Sequence, residues 1–80
     1  MTVYVDQQRP DGWCHMMATT REELHDLADK IGLKRARFQN HPEHAHYDLR
    51  PRMREDAVLA GAVETTSKAM LRKLVRPNAR

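Results

Sequence analysis

Cysteine, glycine and aromatic residues are all scarce in this chain of 80 residues: one Cys, three Gly, one Trp, one Phe and two Tyr. Cys14 alone cannot close an internal disulfide, which excludes a disulfide-stapled miniprotein and suits a reducing compartment, so a cytoplasmic location is expected. Three glycines leave no P-loop and no GxGxxG, so a glycine-rich phosphate cradle is excluded. No uncharged stretch approaches the roughly 20 apolar residues of a membrane span, and the opening MTVYVDQQ has no basic leader before an apolar run. HExxH, paired CxxC motifs, internal repeats and low-complexity segments are also missing.

What remains is a mixed composition, 40% hydrophobic and 31% charged, as expected of a folded domain rather than a disordered tail. Residues 1–80 fit one small domain whose core is marginal at this length, and residues 76–80 are expected to fray. The net charge of +3 is uneven. Its excess lies at the C-terminus, where Lys68, Arg72, Lys73, Arg76 and Arg80 face Glu64 alone. Such a cluster is either a solvated helix end, favoured by the helix dipole, or a surface for nucleic acid through Arg72, Lys73, Arg76 and Arg80.

Alternation and capping residues outline the elements. TVYVD (2–6) alternates as a strand, and Pro10, Asp11 and Gly12 end it in a turn. WCHMMA (13–18) predicts a second strand. Thr19 or Thr20, with Glu22 or Glu23 three residues on, predicts a capping box. The helix it opens aligns Leu24, Leu27, Ala28 and Ile31 and stops at Gly32. A polar connector over 33–42 is expected to anchor through Phe38. HAHYDL (44–49) predicts a third strand, and Pro51 starts a second helix running to about Leu59. A short fourth strand at 63–65 precedes a last helix capped by Thr66 or Ser67, with Met70, Leu71, Leu74 and Val75 apolar. The order β-β-α-β-α-β-α predicts a small α/β two-layer sandwich with three helices, three or four short strands and some parallel pairing.

Strand alternation also sorts the chemistry. If Val3, Val5, Cys14, Met16, Ala18, Ala45, Tyr47 and Leu49 face the helices, the open face carries Tyr4, Asp6, Trp13, His15, His44, His46 and Asp48. Imidazoles and carboxylates together suit Zn²⁺ or Mn²⁺. His44, His46 and Asp48 span about 13 Å of strand, too far for one ion, so two of them with His15 or Asp6 make the better ligand set. The competing reading leaves His41 and His44 in a loop and His46 hydrogen-bonded within the fold. His25, on the polar side of the first helix, is expected to be solvated. Cys14 is expected to be a small buried apolar residue rather than a nucleophile.

The motifs MTVYVD, WCH, EELH, Phe38-Gln39, HYDL and GAVE, in this order over nearly the whole chain, resemble a family of short bacterial and bacteriophage proteins catalogued as a domain of unknown function. The resemblance implies the cytoplasm of a bacterium, or of a host for a phage protein, and brings no activity with it. Two positions depart from the family pattern: Ala45 replaces a proline, and Gln7 replaces a second acid after Asp6. The leading expectation is a site for a small or phosphorylated ligand, with hydrolysis assisted by a divalent metal. In it His15, His46 and Asp48 are the metal-binding and catalytic residues, and Asp6, Trp13 and Tyr47 contact the ligand. The alternatives are a non-enzymatic module that binds a host protein, or nucleic acid at the basic C-terminus; a homodimer is compatible with either.

Overall fold

In the computed structural model, which describes residues 2–74, five strands form one mixed sheet. They are β1 (Val3–Val5), β2 (Cys14–Ala18), β3 (Phe38–Gln39), β4 (His46–Leu49) and β5 (Val63–Glu64), ordered β3-β4-β2-β1-β5. β1–β2, β2–β4 and β3–β4 are antiparallel, and β1–β5 is parallel. Three helices complete the α/β fold: α1 (Arg21–Lys30), α2 (Pro51–Leu59) and α3 (Ser67–Leu74). The strand count is one above the expected range because the connector folds. A 3₁₀ turn at Arg35–Arg37 delivers Phe38–Gln39 to β4. Trp13 and His44 fall just outside the strands predicted to contain them, and β5 stops at Glu64.

The register agrees with the alternation. Val3 pairs with Ala18, Val5 with Met16, Met16 with Tyr47 and Cys14 with Leu49, so all of these share one face. Against it α1 packs Leu24, Leu27 and Ala28, and α2 packs Ala57. Burying Leu24 and Leu27 contributes about 1.5–3 kcal/mol each. Thr20 caps α1, its hydroxyl accepting the Glu23 N–H at 3.2 Å, while the Glu23 carboxylate accepts the hydroxyls of Thr19 and Thr20. Both α1 and α2 end in the same device. Leu33 N–H reaches Ala28 C=O at 2.8 Å past Gly32 (φ 79°), and Ala62 N–H reaches Ala57 C=O at 2.9 Å past Gly61 (φ 116°). These are Schellman closures, which a glycine adopts without strain.

α3 lies on the opposite face. Thr66 caps it, accepting the Ala69 N–H at 3.1 Å, and Met70 is buried against that side of the sheet. Two ties fasten its first turn to the segment after β1. Ser67 N–H donates to Gln7 Oε1 at 2.9 Å, and Ser67 Oγ donates to Asp6 Oδ2 at 2.6 Å. Gln7, the departure from the family pattern, thus serves the helix start. Residues 75–80, and with them Val75, Arg76, Arg80 and the expected frayed tail at 76–80, lie outside the described residues. Among the described residues, no helix is long and apolar enough to cross a membrane.

Candidate metal centre

Asp6, one residue past β1, is 1% exposed, although the alternation predicts it on an open face. α3 closes that part of the sheet, and the fold answers the buried charge with donors. Asp6 Oδ1 accepts the His15 N–H at 2.6 Å; Oδ2 accepts the His15 ring Nδ1 at 2.8 Å and the Ser67 hydroxyl. Burial pushes the carboxyl up, but the bonds from Ser67 and His15 outweigh it, and Asp6 is held below its ordinary 3.8.

An ionised Asp6 can only accept, so His15 Nδ1 carries the ring proton and Nε2 presents a lone pair. The same logic applies on β4. His46 Nδ1 lies 2.9 Å from the carbonyl of His44, which also can only accept, so His46 Nε2 is the free nitrogen. The two rings meet edge to face, with centroids 5.1 Å apart. Asp48, directly opposite His15 in the β2–β4 ladder, brings Oδ1 to 4.0 Å from His15 Nε2 and 3.5 Å from His46 Nε2. One ligand atom from each of His15, His46 and Asp48 lies within 4.8 Å of the others. The set draws on two strands, avoiding the span that excludes His44, His46 and Asp48 as joint ligands.

Arg9 is the neighbour that sequence reasoning missed. Its Nη1 lies 3.2 Å from His15 Nε2, donating to the same lone pair that faces Asp48. A turn sets it there: Gly12 N–H donates to Arg9 C=O at 2.8 Å, and Arg9 N–H donates to Trp13 C=O at 2.9 Å. The signal was present in Pro10-Asp11-Gly12, which folds the segment back so that Arg9 meets Trp13. Ser67 was missed for another reason: it reaches Asp6 from 61 residues away.

The other named residues are dispersed. Trp13 is half-buried at the rim, with the Arg50 guanidinium 5.0 Å over its ring. Tyr47 is fully buried on the helix-facing side of β4, so it contacts the core and not the cluster, contrary to the ligand contact expected of it. Its hydroxyl is 2.8 Å from His25 Nδ1, and His25 packs on Phe38 with ring centroids 4.6 Å apart. His25 is therefore a partner of the core, not a solvated residue. Burial, with Arg35 and Arg21 nearby, holds its pKa below 6.5. Arg72 and Lys73 are exposed on α3, and Lys73 Nζ lies 5.9 Å from the Tyr4 ring. Cys14 is fully buried, and burial with the Asp6 charge raises its thiol to about 11, which leaves no thiolate nucleophile at neutral pH.

No curated protein and no solved structure matches the chain. One family model matches residues 3–77, which takes in every strand and helix described above, the motifs of the resemblance apart from Met1 and Thr2, and the His15–His46–Asp48 cluster. The chain thus belongs to the DUF4031 family, described as proteins of unknown function.

Proposed function

We propose that His15, His46 and Asp48 hold a divalent cation, Zn²⁺ or Mn²⁺, and that the ion activates water against a phosphorylated ligand. The observation that carries this reading is the pairing of each ring's far nitrogen with an oxygen acceptor, Asp6 for His15 and the His44 carbonyl for His46. Metal-binding histidines are oriented this way: the outer oxygen fixes the tautomer, aims Nε2 and makes it more basic. Two imidazoles and one carboxylate suit either ion, and three protein ligands leave a position for water. Such water is acidified towards neutral pH. Water held there would be the nucleophile: its oxygen would bond to phosphorus as the bond to the leaving oxygen breaks, and the leaving oxygen would take the proton that the water gives up. Arg9, displaced from His15 Nε2 by the ion, would stay a cation beside the reacting phosphate, with Asp11 Oδ1 3.6 Å from its Nε.

The test is metal content after purification without an affinity tag, followed by Zn²⁺ and Mn²⁺ titration of the wild type and of the double variant His15→Ala/His46→Ala. One ion per chain, lost in the variant, is expected, together with metal-dependent cleavage of bis-p-nitrophenyl phosphate. Absence of binding and of any thermal shift with either ion overturns the reading and makes the histidines structural, as in a protein-interaction module.

A further inference from the structure

Beside the cluster, and sharing Asp48 with it, lies a hollow of about 280 Å³ lined by Arg9, Trp13, Arg37, Gln39 and Asp48. A neighbouring hollow of about 290 Å³ shares Trp13, Arg37 and Asp48 and adds Lys34 and Arg50. Around the two, four exposed cations face one lining carboxylate, Asp48, and one acid beside Arg9, Asp11, whose Oδ1 lies 3.6 Å from the guanidinium, so cations still outnumber acids by four to two. That balance favours an anion, and a cation at Asp48 would favour it further. The indole already acts as a platform for a flat group, the Arg50 guanidinium; Arg50 lines the second hollow and not the first. Gln39 offers a neutral amide with donor and acceptor side by side, the complement of a heterocycle edge. The volume sits near the lower end of small-molecule sites, about 300 Å³, enough for one such unit.

We infer that this hollow is a nucleotide subsite: the base stacks on Trp13, Gln39 pairs with the base edge, and the phosphate lies between Arg9, Arg37 and the ion at Asp48. A sugar phosphate would bring no flat group to the indole within this hollow, and neither would the carboxylate side chains of an acidic peptide. The subsite rests on the proposed metal centre only for the reacting end of the ligand, since Trp13, Arg37 and Gln39 touch no metal.

Trp13 is the only tryptophan, so its emission reports the subsite directly. The experiment titrates AMP, adenosine, ribose 5-phosphate and a short single-stranded oligonucleotide against that emission, with EDTA and with Mn²⁺. Saturable quenching by AMP is expected, stronger than by adenosine or ribose 5-phosphate and tightened by Mn²⁺. Arg37→Gln, an exposed position, weakens it about tenfold, the loss of one charged phosphate contact. Tighter binding of the oligonucleotide than of AMP assigns the nucleotide to a strand; the reverse assigns a free nucleotide. Unchanged emission with AMP while Mn²⁺ binds overturns the subsite and leaves the metal centre standing. Quenching in EDTA by a protein that binds no metal supports the subsite and overturns the metal centre alone.

Discussion

Arg9 and Asp6 reach His15 from opposite sides, and the imidazole cannot treat them alike. Asp6 accepts the hydrogen bond of the Nδ1–H, while Arg9 donates to Nε2 and so competes with any cation for that lone pair. Removing the guanidinium removes both a competitor and a like charge. Arg9→Gln should therefore tighten Mn²⁺ by roughly three- to tenfold, while weakening AMP, two affinities moving in opposite directions in parallel titrations. If the cluster merely braces the fold, the same variant changes stability and neither affinity. His25 is the second residue whose environment predicts behaviour. Its folded pKa is depressed chiefly by burial, so the unfolded chain takes up a proton first as pH falls. The stability it contributes is complete above 6.5 and is lost as pH drops through the lower folded value. His25→Gln keeps a polar partner for the Tyr47 hydroxyl but does not titrate. Its urea midpoint should fall less than that of the wild type between about pH 7.5 and about pH 5.

At the scale of elements, local rules carried much of the structure. The Thr20 cap, the Leu24–Leu27–Ala28 stripe, Pro51 at the first position of α2 and the alternation of HYDL are each readable within one turn or one strand. Because alternation has period two, the face carrying His15, His46 and Asp48 was readable as well, and the ladder pairs His15 with Asp48 in that register. What escaped depended on contacts between distant segments. β3 is two residues long, too short for any periodicity to declare it. The burial of Asp6 follows from α3 docking some 60 residues later, and Tyr47 meets His25 across the packed layers. Helix ends supply an element-scale prediction. A Cβ built at Gly61 meets nothing within 4 Å, so the cost of Gly61→Ala is backbone strain at φ 116° without a clash. It should destabilise by about 1–2 kcal/mol in urea denaturation.

For the whole molecule, one side chain measures opening. Cys14 lies in the middle strand of the sheet, fully buried, with its thiol raised to about 11. A thiol reagent meets it only when the sheet comes apart, so labelling should follow the fraction of chains unfolded. A ligand that binds only the folded state lowers that fraction. Saturating Mn²⁺ should therefore slow labelling of the wild type by the factor its affinity dictates and leave the rate of His15→Ala/His46→Ala unchanged.

The strand order has a further consequence for how copies of the chain can meet. The outermost strands, β3 and β5, are two residues each, while the longest, β2 and β4, are enclosed between neighbours. Each rim of the sheet thus exposes only a short row of backbone donors and acceptors, too little to template a further strand. Growth of one continuous sheet from molecule to molecule, the geometry of fibrils, is disfavoured by the strand order itself. Association between copies is left to side-chain surfaces, which single substitutions can tune without disturbing the ladder that holds His15 against Asp48.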